Sequence, residues 1–115
     1  MNKKEFYEAV EMLKSKDSLT YEEGFYWLIG SVDFYQSELT DLMKNETDYQ
    51  LRAKFVEVLG NGTNVSIIQT LKTELSHPHR EVRSWAYSQL AYFESSVAEK
   101  IAADYKTENP NEDFY

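Results

Sequence analysis

Apolar residues stand at the first, fifth, sixth and ninth places of Leu51-Arg52-Ala53-Lys54-Phe55-Val56-Glu57-Val58-Leu59. Thirty-one positions later, Val82-Arg83-Ser84-Trp85-Ala86-Tyr87-Ser88-Gln89-Leu90 is apolar at the same four places. This is the stripe of an amphipathic helix, with apolar groups at i, i+4 and i+8. Tyr21-Glu22-Glu23-Gly24-Phe25-Tyr26-Trp27-Leu28-Ile29 fits the frame at an offset of thirty. Phe25, Phe55 and Ala86 then take the core place, and the third, fourth and seventh places face away from the core.

A second series of helices alternates with the first. Val10 and Leu13, Leu39 and Leu42, Ile68 and Leu71, and Ala98 and Ile101 are i, i+3 apolar pairs, spaced twenty-nine, twenty-nine and thirty residues apart. Turn formers separate the helices at 14–18, 44–48 and 76–79. The pattern predicts seven helices, near 3–14, 20–31, 36–44, 49–60, 65–75, 80–93 and 96–106. A period of about thirty residues marks an array in which each helix pair buries its apolar face against its neighbours. Residues 1–106 are expected to form one all-α domain, followed by an acidic C-terminal segment, 107–115.

Leu75-Ser76-His77-Pro78-His79-Arg80-Glu81-Val82-Arg83-Ser84-Trp85-Ala86 resembles the inter-helix turn and second-helix start of HEAT repeats: a polar residue, a Pro, then Val-Arg-x-x-Ala. Leu51-Arg52 repeats the hydrophobic-Arg step. The copy at Tyr21-Glu22 lacks both the Arg and the Pro, so its membership rests on spacing. The resemblance implies a right-handed α-α superhelix of about three and a half HEAT-like helix-pair repeats. It also implies that Arg52 and Arg83 hold neighbouring repeats together, with Asp48 a plausible acceptor for Arg52. The family consists mostly of binding scaffolds, so the resemblance bears on fold more than on function.

Composition narrows the function. Hydrophobic residues make up 42% of the chain, with nine Tyr, six Phe and two Trp, enough apolar area for a folded core. There is no cysteine, Met1–Phe6 leads into no apolar stretch, and no segment approaches membrane-spanning length, so a cytoplasmic protein without membrane association is expected. The N-x-S/T triplets at Asn45, Asn61 and Asn64 are then chance occurrences. The net charge of −8 argues against nucleic acid, whose phosphates call for clustered Lys and Arg. Most of it lies in residues 17–50, where eight acids face Lys44 alone, a net of −7.

Candidate chemistry is sparse. His77 and His79 flank Pro78 without a nearby third ligand, and the turn already accounts for the Pro. Glu22 and Glu23 point about 100° apart on a helix, so they do not form a facing acid/base pair, and they suit a solvated helix start. Gly60-Asn61-Gly62 reads as a C-cap and turn, too short to cradle phosphate. No catalytic residues, metal or cofactor are expected, and no enzyme.

A binding surface is the better reading. With the second helix of each pair lining one concave face, that face would present Glu22, Glu23, Trp27, Glu57 and Trp85, joined by Asp33 and Tyr35 from a loop and Asp48 from the next turn. Trp27 and Trp85 serve as interface anchors if the frame holds, and as core residues if it is off by one. An acidic surface interleaved with aromatics fits a basic protein partner. In character the chain resembles the small, acidic bacterial immunity proteins, which neutralise a nuclease or similar toxin by covering its positive cleft. That resemblance implies a basic cognate toxin domain as partner. An adaptor or scaffold domain in a larger assembly is the alternative, and a DNA-glycosylase type of HEAT-like enzyme conflicts with the sign of the charge.

Residues 107–115 lack helical periodicity, and Pro110 forbids a continued helix, so the segment is expected to be mobile in the free protein. Phe114 and Tyr115 follow its acids, and they either fold back on the last helix as a cap or stay free for a partner.

Overall fold

The computed structural model describes residues 2–114, and seven α-helices with no strand account for the described residues. They are α1 (Lys3–Leu13), α2 (Ser18–Ile29), α3 (Val32–Asn45), α4 (Tyr49–Leu59), α5 (Ser66–Glu74), α6 (Arg80–Tyr92) and α7 (Ser96–Glu108). The body measures 42 × 27 × 23 Å. Helix α4 is central, packed against α2, α3, α5 and α6, while α1 lies on α2 and α7 on α6.

Local chemistry sets where each helix begins. Asp17 accepts from the Thr20 amide at the start of α2, and Asp48 from the amides of Gln50 and Leu51 at the start of α4. Asn2 caps α1 and Ser95 caps α7 in the same way. At α6 the His77 Nδ1 takes the role of an acceptor, receiving the His79 amide at 3.0 Å. Each of these bonds satisfies a donor that a helix start leaves without an internal partner.

The caps correct the repeat frame. Asp17, Asp48 and His79 are spaced by thirty-one residues, so α2 belongs one position earlier than the offset of thirty placed it. At an offset of thirty-one, Leu28, Leu59 and Leu90 coincide, and all three are fully buried. Gly24, Phe55 and Ala86 likewise coincide and are buried. Phe25, expected in the core, is instead half-buried at its edge. Gly24 stands where Phe55 stands in α4 because α1 crosses α2 closely there: a Cβ on Gly24 would lie 2.5 Å from Met12 Cβ and 2.7 Å from the Ala9 carbonyl oxygen.

Two further expectations need correction. Helix α3 begins at Val32, so Asp33 and Tyr35 sit in its first turns and not in a loop. The backbone of Tyr35 departs from helical values (φ −114°, ψ 25°), and the regular run expected from residue 36 follows that break. Gly60 does end α4, but with φ −64° and not in the left-handed region. What demands glycine at Gly60 is the approach of α6, since a Cβ would lie 2.4 Å from Gln89 Cγ.

Several contacts across the body join residues thirty positions apart. Asp33 bonds Thr63, Gln36 donates to Ser66 at 2.7 Å, and the Tyr49 ring stacks on His79 with centroids 3.9 Å apart. The ion pair of Arg52 with Glu74 is largely buried. Arg52 Nε and Nη2 donate to the two carboxylate oxygens at 2.7 and 2.9 Å, and Nη1 donates to the Lys44 carbonyl. Asp48, the expected acceptor, is occupied in capping α4, and Glu74 from α5 takes its place.

Phe55 is enclosed in the central helix, and Phe55→Ala should cost about 3–5 kcal/mol, the usual range for emptying such a site. Equilibrium urea unfolding at constant m-value checks this. Arg52→Ala should cost about as much, about 3–5 kcal/mol, because it strands the buried Glu74 carboxylate. The double variant Arg52→Met/Glu74→Leu should recover most of that loss in the same assay.

Candidate functional site

Among the described residues no group of three or more His, Cys, Asp or Glu is placed to hold a metal ion. Nor, among the described residues, is any helix long and apolar enough to cross a membrane. The residues expected at an interface fall into three sets: those committed to the interior, those committed to local structure, and those left to solvent.

Tyr35 belongs to the interior, and Trp27 is partly buried against it. Tyr35 is 3% exposed, stacked on Phe6 with centroids 4.6 Å apart, and Trp27 packs beside both rings. Tyr35 is thus closed to a partner, and Trp27 offers only part of its ring. Trp27 at an offset of thirty-one is equivalent to Val58, which is buried, so the slip of one residue explains why it was expected to face outward. Trp85 is half-buried, with part of its ring packed against the core.

Asp33 and Asp48 are exposed but engaged. The Asp33 carboxylate accepts from the amide and the hydroxyl of Thr63, each at 2.7 Å, which ties the start of α3 to the loop before α5. Those bonds, the Thr63 amide first, hold its pKa below the ordinary carboxylate value. Asp48 caps α4, and its own amide donates to Glu46. Glu57 is half-buried on α4, and burial raises its pKa while the nearby Lys54 partly offsets the effect. Lys54 in turn lies over the Tyr21 ring, 4.4 Å from its centroid, bridging α2 and α4.

Glu22 and Glu23 are exposed on α2. They flank two apolar residues that the sequence frame did not single out, Leu19 at 75% exposure and Tyr26 at 65%. Residues seven apart on a helix point in nearly the same direction, so Leu19 and Tyr26 form one ridge with a carboxylate on each side. In the corrected frame Tyr26 shares its outward place with Glu57 and Ser88, and Glu23 shares the next with Lys54 and Trp85. Since α2, α4 and α6 lie side by side, these places make one surface, most open at α2 and more enclosed at α4 and α6. The cap spacing from Asp17 to Asp48 was the signal that would have placed Tyr26 outward.

Comparison with protein-family models, curated proteins and solved structures returns no match for this chain.

The division between engaged and free acids has a direct test. A carboxylate whose pKa is lowered in the folded state adds stability above its unfolded value, and that contribution disappears as pH falls through the folded one. Asp33→Asn should therefore lower the melting temperature at neutral pH, with the difference closing as pH falls below about 3.8. Glu22→Gln and Glu23→Gln, which remove no hydrogen bond or ion pair within the fold, should leave the melting temperature at neutral pH unchanged. Thermal melts at closely spaced pH values read both.

Proposed function

We propose that this chain is a protein-binding module that neutralises a basic cognate partner, most simply a toxin domain, in the manner of a bacterial immunity protein. The observation that carries the reading is the α2 ridge: Leu19 and Tyr26 exposed side by side, with Glu22 and Glu23 flanking them and no internal bond consuming either carboxylate's charge. An exposed tyrosine with apolar surface beside it and a polar rim around it is a common anatomy of a binding hot spot. The acidic rim supplies long-range attraction to a positive partner and rejects others.

The repeat arithmetic supports a scaffold of HEAT-like type beneath this surface. Caps at thirty-one-residue spacing, three coincident leucines, and second helices α2, α4 and α6 packed in sequence all favour a short stack of helix pairs. Such a stack holds a surface rigidly, and a preorganised surface loses less entropy on binding. The same features serve an adaptor or scaffold domain, which would use the surface for assembly in place of neutralisation. No catalytic role is part of this proposal.

The test pairs the unaltered chain with the variant Glu22→Lys/Glu23→Lys/Tyr26→Ala as baits in lysate of the native cell. A basic protein retained by the first and lost by the second is the expected result, and its association rate should fall steeply as salt rises. Coexpression should then relieve whatever growth defect that protein causes alone. A partner held equally by both baits, or an association rate indifferent to salt, would refute the proposal. A partner that meets both criteria but harms no cell would select the adaptor reading.

A further inference from the structure

Arg83 is oriented as a carboxylate receptor by groups other than the carboxylate it binds. Its Nη1 donates to the carbonyls of His77 and Pro78 at 2.9 and 2.7 Å, which fixes the guanidinium and leaves Nε directed at Glu112. Arg52, thirty-one residues earlier, is built alike, with Nη1 on the Lys44 carbonyl and the fork on Glu74. The two carboxylates differ in origin. Glu74 belongs to helix α5, whereas Glu112 belongs to an irregular segment that leaves α7 at Asn109 and Pro110.

The remainder of that segment is bound by side chains of α6 and α7. The Asp113 carbonyl accepts from Arg80. The Phe114 ring lies parallel to Tyr105 with centroids 6.2 Å apart, 5.6 Å from Tyr87, and the Arg80 guanidinium sits 5.3 Å from its centroid. The Tyr105 hydroxyl donates to Glu112 at 3.2 Å. The segment expected to be mobile is thus seated, and of the two alternatives for its aromatics Phe114 takes the folded-back one; Tyr115 lies outside the described residues.

We infer that the α6–α7 face is a peptide-recognition groove selective for a carboxylate followed two positions later by an aromatic, held shut in cis by Glu112 and Phe114. Its occupant in trans is a partner segment of that same acidic-then-aromatic chemistry. The receptor groups are helical: Arg80, Arg83 and Tyr87 run along one face of α6 at i, i+3 and i+7, and Tyr105 faces them from α7. The groups they bind sit on a segment that carries no helix and supports none. The groove also extends past its present occupant, because a cleft of about 740 Å³ continues from Arg83 and Glu112 between Lys72 and His77 on one side and Asp104 and Glu108 on the other. This site is separate from the α2 ridge and stands or falls independently of the function proposed for it.

A tethered segment competes with any free one. A groove that is open only a tenth of the time binds a free peptide about tenfold more weakly than an open groove does. The probe is a fluorescein-labelled peptide with the sequence of residues 107–115, titrated into the intact chain and into the full-length variant Glu112→Gln/Phe114→Ala, with fluorescence anisotropy as readout. The variant should bind at least about tenfold more tightly than the unaltered chain. Adding Arg80→Ala and Arg83→Ala should abolish the gain, and a peptide with its Phe replaced by Ala should bind neither protein.

Equal affinity for both proteins would overturn the inference, as would no binding to a variant whose helical circular dichroism is unchanged. Should the variant not fold, the unaltered chain decides. In a 15N NMR titration with excess unlabelled peptide, signals of Arg80, Arg83, Tyr87 and residues 112–114 should shift together. Shifts confined to other residues, or none at about millimolar peptide, the effective concentration of a short tether, would overturn it.

Discussion

Glu74 closes α5 and is itself 3% exposed, and a charge held that far from water is stable only beside a partner of opposite sign. Arg52 supplies that partner from α4 and spends its remaining donor on the carbonyl of Lys44 near the end of α3. One guanidinium therefore fixes three helices at once. Apolar faces alone would tolerate several ways of sliding α4 against its neighbours, because hydrophobic burial is non-directional. A slip of one residue along α4 would leave Glu74 buried without its partner, a loss of several kcal/mol. The pair therefore favours the register in which Phe55, Leu59, Ile67 and Leu71 are buried together in the central core.

Periodicity was enough to find all seven helices, since apolar pairs and turn formers report on local geometry. It misplaced α2 by one residue because the aromatic run Phe25-Tyr26-Trp27 satisfies an apolar template in either of two frames. Hydrophobicity does not distinguish an outward Tyr26 from an inward Trp27. The distinction came from Asp17, whose side chain can cap α2 in only one frame. The Arg52 partner was illegible for another reason. Asp48 is close in sequence, but it is required at the helix start, and Glu74 arrives only through the packing of α5 on α4.

The acidic surplus of residues 17–50 is also less uniform than its count suggests. Asp17 and Asp48 satisfy helix starts, Asp33 fastens α3 to the loop before α5, and Glu46 accepts from the Asp48 amide. Half of the eight acids thus work within the fold. Glu22, Glu23 and Asp41 remain exposed, the first two beside Leu19 and Tyr26 and Asp41 on the same cleft as Phe34. Composition locates the charge, whereas the hydrogen bonds decide how much of it reaches a partner.

The two ends of the helix series differ in sign and chemistry. At α2 the surface offers carboxylates and a tyrosine. At α6 and α7 the receptor groups are two arginines and two tyrosines, and Glu112 and Phe114 already satisfy them. The α6–α7 receptor groups and the groups that cover them belong to one chain, so the connection through Asn109 and Pro110 keeps Glu112 and Phe114 at a far higher effective concentration than any free segment. A partner segment would reach that face only by outcompeting the tether, which closes the face to weak binders, whereas Glu22, Glu23 and Tyr26 on α2 carry no such cover and meet every encounter directly.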